Sequence, residues 1–459
     1  MNEQGENGDT MFSGKIDEHA PISLGEQVYR LLVSEIEAGH IRAGEKLPSR
    51  RELAEELKVS STTIEGALDQ LVAEGICESR PRSGLYVLSP EQIPHRKKDA
   101  LSIRWDFGIG AMDTAQFPYS SWAKLMRIVL SEQSAEFLRS GDPQGSPDLR
   151  KEIAGMILRM RGMEVAPDQI VVAAGTDSLV TMLITLIGRE RLFAVEDPGY
   201  SRARRILIAG GARIAPVQLR DGAIDVRELY LSGAGAAYVT PGRQFPTGKE
   251  MPETCRERLL MWARETGAYI LEDDYENEFF MGDRALPLMA MDSHEHVIYM
   301  NTFARTLAPG LRISYMILPR ALCARYRELY GACSVPGFDQ ATLMKFLEGG
   351  YYDRHVKRMR TIYRQRIHSF ETAVAELDLG ELIGNRGLFE LLKVKSSLEP
   401  SRLVPTAREA GVYLTSLSDY CITPSAENDR IVLLGLAGMD EPAIREGLSA
   451  LASVWKVKS

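Results

Sequence analysis

The feature that most constrains the fold is an alternation, after residue 104, of short apolar runs with segments of helical periodicity. The strand-like runs read QIVVAAG, RLFAVEDPG, AAYVTPG, AYILEDDY and VIYMNTF. Strands that alternate with helices form βαβ units, which predicts an α/β fold with a largely parallel sheet and helices on both faces. Open α/β sheets bind ligands at the carboxyl ends of their strands, so the polar residues that follow these runs mark the expected ligand site.

The chain divides into four predicted parts. Residues 1–20 begin with a polar, acidic stretch without an apolar core, so we expect a disordered tail and no secretory signal. Residues 21–88 form a small helical head, and residues 89–104 form a polar linker with two prolines and a basic run. Residues 105–459 form the α/β body.

Composition excludes several classes of protein. The five cysteines are scattered and none forms a C-x-x-C pair, which argues against a disulfide framework and a metal site and fits a reducing cytoplasm. No run of about 18 apolar residues occurs, so we expect no transmembrane helix and no membrane partner. The formal net charge of -8 does not favour nucleic acid, so any contact with DNA must come from a local patch.

The head has the pattern of three helices followed by a hairpin. Capping boxes at Ser23 and Ser49 open the first two helices, and a third helix begins near Ser61 or Thr62. Two short strand-like runs then flank the basic turn SRPRSG. This is the layout of a winged helix-turn-helix, in which the third helix enters the major groove of DNA.

The candidate DNA contacts are short hydroxyl donors and arginines, which suit phosphates and base edges. They lie at the start of the second helix, around the start of the third helix and on the hairpin: Arg50, Arg51, Ser60, Ser61, Thr62, Thr63, Arg80 and Arg82. Capping boxes and basic turns also occur in many other helical domains, and the head carries many acidic residues. Spacing alone therefore leaves an ordinary helical domain open as the alternative.

The head resembles the GntR-type winged helix over nearly its whole length. The segments that carry the resemblance are KLPSRRELAEELKVSSTTIEGALDQLVAEG and SRPRSGLYV. Such proteins usually have an arginine at the position of Ser61. Without that arginine, one contact with DNA is expected to be weaker, and we therefore expect an unusual operator sequence.

The body resembles the type I aminotransferases, whose fold holds pyridoxal phosphate. Five motifs occur in the expected order: SGDPQGSPDLRKEIAGMILRMRG, GTDSLVTML, EDPGY, EDDYENEF and TFARTLAPGLRISYMILP. With a GntR-type head in front, residues 21–459 resemble the MocR/GabR group of transcription regulators. The resemblance implies a smaller C-terminal α+β subdomain, a head-to-tail homodimer, a DNA operator with repeated half-sites, and a small anionic effector.

The resemblance also implies a role for each cavity residue. Asp273 would pair with the pyridinium nitrogen, Tyr275 would bond the ring hydroxyl, and Tyr200 would lie near the ring. The phosphate would be held by the start of the helix that follows the first strand-like run, QIVVAAG, together with an arginine. The residues concerned are Thr176, Asp177, Ser178 and Arg312. Arg430 best matches the arginine that holds a substrate carboxylate, and Arg202 is the second candidate.

One departure changes the expected chemistry. In this family the lysine that forms a Schiff base lies seven residues before the position of Arg312, and this chain has Arg305 there. Arginine stays protonated and offers no free amine, so it cannot form the covalent link or relay a proton. We therefore expect no aminotransferase turnover, and we expect pyridoxal phosphate or its amine form, if either binds, to be held without a covalent bond.

Further departures leave the role of the body open. Asp177 is expected to repel a phosphate, Ser140 and Arg243 replace a common tyrosine and a common histidine, and Lys249 is a candidate substitute amine. The body could bind a pyridoxal phosphate vitamer without a covalent bond, with Arg305 as an added anion clamp. It could bind another anionic effector, or serve as a dimeric scaffold without a ligand. A true aminotransferase with an accessory head is the competing hypothesis.

Overall fold

A computed structural model of the chain describes residues 16, 23–37, 40–42, 44–73, 76–80, 83–88, 103–132, 135–279, 285–384, 387–423 and 426–456. Contacts divide the chain into two compact units, Met1–Ala100 and Leu101–Ser459. Apart from residue 16, the predicted tail lies outside the described residues, and so does the predicted linker up to residue 102. The predicted disorder of the tail therefore stays a prediction.

The head is the predicted winged helix-turn-helix. Its elements are α1 (Leu24–Glu37), α2 (Arg50–Leu57), α3 (Ser61–Ala73), β1 (Cys77–Arg80) and β2 (Gly84–Val87). The two strands pair antiparallel. The helices close around fully buried Val28, Leu32, Leu53, Ile64 and Leu71, which are the apolar positions of the helical repeat.

The body alternates helices and strands as its sequence pattern predicts. Its helices are α4 (Tyr119–Ser131), α5 (Pro147–Arg161), α6 (Thr176–Ile187), α7 (Ser201–Ala209), α8 (Val226–Ser232), α9 (Glu253–Thr266), α10 (Leu288–Met291), α11 (Arg320–Leu329), α12 (Gly337–Glu348), α13 (Tyr351–Glu376), α14 (Leu403–Glu409), α15 (Ala426–Asp429) and α16 (Glu441–Trp455). Its strands are β3 (Trp105–Asp106), β4 (Ile170–Ala173), β5 (Leu192–Asp197), β6 (Arg213–Arg220), β7 (Ala223–Ile224), β8 (Ala236–Val239), β9 (Tyr269–Asp273), β10 (Val297–Thr302), β11 (Ser314–Ile317), β12 (Gly380–Leu382), β13 (Phe389–Val394), β14 (Val412–Tyr413), β15 (Thr415–Ser416) and β16 (Ile431–Gly435).

The large sheet has the strand order β4-β11-β10-β9-β8-β5-β6-β7. Its central strands β10, β9, β8, β5 and β6 are parallel, while β11 is antiparallel to both of its neighbours. Alternate residues of β8 enter different cores: Ala236 and Tyr238 pack with α6 and α7, whereas Ala237 and Val239 pack with α8 and α9. Helices therefore cover both faces, which confirms the predicted fold class.

The C-terminal part forms the predicted smaller α+β subdomain. Its sheet has the order β12-β13-β16-β15 and is antiparallel throughout. Residues of α13, α14 and α16, including Phe370, Leu403 and Leu448, bury one face of this sheet. No helix within the described parts of the chain is long and apolar enough to cross a membrane.

Candidate functional site

A cavity of about 660 Å³ lies at the carboxyl ends of the parallel strands. Thr240 follows β8, Asp273 ends β9 and Thr302 ends β10, and all three line the cavity. The first residues of α6 and α7 line it as well. This is where the strand pattern predicts a ligand site, because each parallel strand delivers its following polar residue to the same edge of the sheet.

Most of the predicted ligand-binding residues meet in this cavity. Its lining includes Thr176, Asp177, Tyr200, Arg202, Asp273, Tyr275, Arg305 and Arg312. Ser178 is an exception, since its Oγ donates to the carbonyl of Ala174 at 3.0 Å and it does not line the cavity.

Arg430 is the second exception and corrects the prediction of a carboxylate-binding arginine. Its guanidinium donates to the carbonyl oxygens of Ser396, at 3.0 Å, and Leu398, at 3.4 Å, and it does not line the cavity. Arg430 precedes β16, whose Leu433 packs in an apolar cluster with Phe245. The resemblance implied a carboxylate-binding arginine beside β16. In the folded protein, however, β16 contributes the apolar side chain of Leu433 to the cluster around Phe245, and Arg430 binds backbone carbonyls instead.

Asp273 is a buried carboxylate at the cavity. Tyr238 donates a hydrogen bond to its Oδ2 from inside the sheet. Burial raises the pKa of Asp273 to about 6, against the lowering effect of that hydrogen bond. The remaining capacity of the carboxylate can accept a hydrogen bond from a ligand, as the resemblance implies.

Aromatic rings form one wall of the site around Phe245. The ring centroids of Tyr200, Tyr275, Phe389 and Tyr420 lie 5.5, 6.0, 5.6 and 4.9 Å from that of Phe245. Their largely edge-to-face geometry is the favourable one for aromatic pairs. Phe245 lies two residues after Arg243, whereas no sequence pattern indicates Tyr420.

The hydroxyl of Tyr275 is already engaged within the protein. It donates to the carbonyl oxygen of Arg243 at 3.0 Å. Arg243 is itself buried, donates to the carbonyl of Phe389 at 2.9 Å, and lies 4.7 Å from the centroid of that ring. The predicted hydrogen bond from Tyr275 to a ligand hydroxyl would therefore compete with this internal bond.

Arg305 is held by the protein at the position of the expected lysine. Its Nη2 is in ion-pair contact with Oε1 of Glu276, and its Nη1 donates to the carbonyl of Ile109 at 2.7 Å. The two paired side chains are 16% and 2% exposed. Arg305 is thus not an unoccupied anion clamp. No sequence pattern indicates Glu276 as a partner of Arg305, although Glu276 lies in the EDDYENEF motif.

No lysine lines the cavity within the described part of the chain. Lys249, the candidate substitute amine, is exposed, and its aliphatic stem lies next to Gly222 outside the cavity lining. Ser140 is also exposed and outside the lining. In this structure, then, Lys249 does not supply an amine to the cavity.

Asp177 is paired with two arginines at the start of α6. Its Oδ1 accepts from Nε of Arg202 at 2.8 Å, and Oδ2 contacts Nη2 of both Arg202 and Arg312, the latter at 3.4 Å. The hydrogen bond from Arg202 holds the pKa of Asp177 below its usual value. Arg202 and Arg312 thus line the cavity, and an internal carboxylate already pairs with both, so their roles as ligand contacts stay a prediction.

The hydroxyl groups of the head fall into two classes. Ser60 caps α3, since the Thr63 amide donates to its Oγ at 3.1 Å and the two hydroxyl oxygens lie 2.7 Å apart. Ser61 and Thr62, on the first turn of α3, are exposed. Ser60 and Thr63 thus stabilise the helix start, while Ser61 and Thr62 are accessible to DNA.

The predicted arginines of the head carry acidic partners. Arg50 pairs with Glu65 of α3, Arg51 pairs with Glu55 at 3.0 Å, and Arg80 pairs with Glu78 at 2.6 Å. The side chain of Arg51 is 89% exposed, so a phosphate can displace its weak surface partner at little cost. The guanidinium of Arg80 also lies 4.3 Å from the ring centroid of Tyr86. Arg82 lies outside the described residues.

Comparison with known proteins adds the following findings. Residues 24–87 match the family profile "Bacterial regulatory proteins, gntR family", and residues 103–451 match "Aminotransferase class I and II". The chain is 36% identical to an uncharacterized HTH-type transcriptional regulator, YdeL, of Bacillus subtilis (strain 168), over 95% of this chain and 97% of that protein. It is 30% identical to the probable rhizopine catabolism regulatory protein MocR of Rhizobium meliloti, over 96% and 95% of the two chains.

A solved structure shows the same fold in the body. Kynurenine aminotransferase of Pyrococcus horikoshii superposes with a TM-score of 0.68 at 21% identity, over 78% of this chain and 92% of that one. At this identity the likeness concerns the fold alone.

Proposed function

The chain belongs to the family of HTH-type transcription regulators that join a GntR-type head to a class I and II aminotransferase domain, and from this premise we propose that its body senses a small effector without forming a Schiff base. It follows that the body performs no aminotransferase turnover. The head binds a double-stranded DNA operator with repeated half-sites, and two chains form the homodimer that spans them.

The observation that carries this proposal is the environment of Arg305. A guanidinium has no free amine at any accessible pH, and this one is held by Glu276 and by the carbonyl of Ile109. No lysine stands in for it among the described residues of the lining. A ligand in this cavity can therefore be held by hydrogen bonds, ion pairs and aromatic contacts, but not by a covalent bond to a lysine.

The cavity suits one half of pyridoxal phosphate better than the other. Asp273 can accept a hydrogen bond from a ring nitrogen, and Tyr200 and Phe245 offer ring faces and edges. When bound to an enzyme, that cofactor would supply an electron sink, but turnover would also need an amine at the position of Arg305 to attach the cofactor and to move a proton, and a guanidinium does neither. At the phosphate end, Asp177 already takes the arginines. These residues support noncovalent binding of an effector rather than catalysis.

Ligand binding would regulate the head through two alternative states of the protein. A ligand changes an equilibrium only by its difference in affinity for the two states. The cavity joins elements from both ends of the body, with Ile109 and Ala111 from the N-terminal segment and Tyr413 and Tyr420 from the C-terminal subdomain. A ligand between these elements can favour one arrangement of the body over another, and this supports the cavity as the sensor.

Borohydride trapping tests the proposal. Full-length protein is incubated with pyridoxal phosphate, reduced with borohydride and digested, and the modified peptides are mapped by mass spectrometry. We expect no adduct on any residue of the cavity, and no transamination of amino-acid donors. R305K is the matched variant, because it supplies an amine at the same position. A stoichiometric adduct in the wild-type cavity, or turnover abolished by K249A, would overturn the proposal.

A further inference from the structure

The charges that line the cavity are balanced within the protein. Within the described parts of the chain, four arginines and four carboxylates line it: Arg202, Arg205, Arg305 and Arg312, with Asp106, Asp177, Asp273 and Glu276. Glu276 pairs with Arg305, and Asp177 pairs with both Arg202 and Arg312. A cavity arranged in this way has little excess positive charge with which to attract a dianion.

Asp177 occupies the place where an anionic group of a ligand would be held. It is the second residue of α6, at the positive end of a helix of 12 residues, and its carboxylate lies between two guanidinium groups. Gly175 makes this approach possible, since a Cβ there would lie 2.5 Å from Nη2 of Arg312. The protein thus satisfies its own anion-binding arginines with a side chain.

We infer that Asp177 is a built-in substitute for a phosphate group, so that the cavity rejects phosphorylated ligands and takes a phosphate-free effector. This inference rests on the proposed noncovalent sensing by the same cavity. A phosphate could enter only by displacing the Asp177 carboxylate from Arg202 and Arg312, or by lying beside it. Displacement leaves the ionised carboxylate of Asp177 without its partners. A phosphate beside Asp177 places two negative charges in contact.

Protonation of Asp177 does not relieve this conflict near neutral pH. The hydrogen bond from Arg202, together with the nearby charge of Arg312, keeps the pKa of Asp177 below its ordinary value, so the carboxylate stays charged. A neutral or singly charged ligand avoids the conflict, because it does not have to compete for these two arginines.

Arg205 indicates what acidic group such an effector could carry. It lies one turn after Arg202 on α7, lines the cavity and is exposed. Among the described residues, each of the other three lining arginines pairs with Asp177 or Glu276, whereas no ion pair to Arg205 is found. One guanidinium at the rim suits a single carboxylate, so the effector class is a phosphate-free small molecule with at most one carboxylate.

A matched pair of probes tests the inference. Pyridoxamine and pyridoxamine 5′-phosphate differ by the phosphate alone and carry no aldehyde, so covalent chemistry cannot confuse the result. Binding to full-length wild-type protein, D177N and D353N is measured by isothermal titration calorimetry. D177N keeps the size of the side chain and removes its charge. D353N makes the same change at a surface ion pair with Arg159 that does not line the cavity.

We expect D177N to bind pyridoxamine 5′-phosphate at least tenfold more tightly than wild type does, which corresponds to about 1.4 kcal/mol. The affinity for pyridoxamine should change less than twofold, inorganic phosphate should compete only in D177N, and D353N should behave as wild type. Equal affinity of wild type and D177N for the phosphorylated probe, including no binding by either, would overturn the inference. So would a wild-type preference for pyridoxamine 5′-phosphate over pyridoxamine, a comparison that needs no variant. None of these results affects the borohydride test, so the two proposals can fail separately.

Discussion

Arg305 and Glu276 form an ion pair inside the cavity, at the position where the sequence resemblance implies a lysine. Glu276, three residues after the end of β9, has a positive φ of 62° and lines the cavity. Both side chains are largely removed from water, so each neutralises a charge that would be costly to bury alone. Arg305 therefore has a structural partner within the protein.

Removal of Arg305 should destabilise the body. R305A leaves the Glu276 carboxylate buried without its cation, and we expect a loss of about 3 kcal/mol in the free energy of unfolding. R320A is the control, since Arg320 and its partner Glu295 are 76% and 48% exposed and such pairs contribute at most about 1 kcal/mol. All four tryptophans lie in the body, so urea unfolding followed by tryptophan fluorescence reports on it. Equal urea midpoints for R305A and R320A would contradict a stabilising role for the buried ion pair between Arg305 and Glu276.

A hydroxyl on the third helix of the head should contribute to operator binding. Thr62 is exposed on the first turn of α3, and T62A removes its hydroxyl without disturbing the Ser60 cap. We expect operator affinity to fall about tenfold, the effect of losing about 1.4 kcal/mol of contact. Thr361, exposed on α13, provides the control T361A. Unchanged affinity of T62A in an electrophoretic mobility shift or anisotropy assay would mean that α3 does not dock as proposed.

Arg51 should contribute through a phosphate rather than a base. Its side chain is 89% exposed, and a phosphate can replace its surface partner Glu55. R51A should weaken binding to operator and to unrelated DNA by similar factors. It should also reduce the slope of log affinity against log salt by about 1. The measurement is fluorescence anisotropy over a series of salt concentrations. An unchanged slope in R51A would place Arg51 outside the interface.

Stability should depend on pH through Glu196. Burial raises the pKa of this carboxyl to about 7, although Thr240 and Gln244 donate to it at 2.9 and 3.2 Å. The native state keeps a proton that the unfolded chain releases near pH 4.5, so this group lowers stability as the pH rises from about 4.5 to 7 and has no further effect above that. E196Q has no proton to release, so it should avoid up to about 3 kcal/mol of this loss in the free energy of unfolding.

The check for Glu196 is urea unfolding of wild type, E196Q and E446Q at pH 5 and pH 8. Glu446 is 56% exposed in its pair with Arg104 and serves as the control. The advantage of E196Q over wild type should be larger at pH 8 than at pH 5. If the difference in free energy of unfolding between E196Q and wild type is the same at pH 5 and pH 8, the pKa of Glu196 is not raised.

Much of the architecture could be predicted from local pattern. The capping box at Ser49 is present with both of its hydrogen bonds, and the apolar repeat around Leu53 and Ile64 forms the core of the head. The strand-like runs AYILEDDY and VIYMNTF form neighbouring parallel strands, which end at Asp273 and Thr302. The sequence pattern predicts less well what a side chain contacts when its residue lies next to a strand rather than within it. Arg430 precedes β16, and its guanidinium binds backbone carbonyls instead of the cavity.

The sequence by itself determined which elements form, and that the residue seven positions before Arg312 is an arginine, because periodicity, caps and side-chain chemistry are properties of short segments. Only the tertiary structure decided which charges neutralise one another. Arg305 meets Glu276 from 29 positions away and the Ile109 carbonyl from 196, and Arg312 meets Asp177 from 135. An ion pair depends on distance in space, and the order of strands in the sheet sets that distance. For this reason Asp177 suggested repulsion of a ligand when considered in the sequence, whereas in the folded protein it is the counter-ion of two arginines.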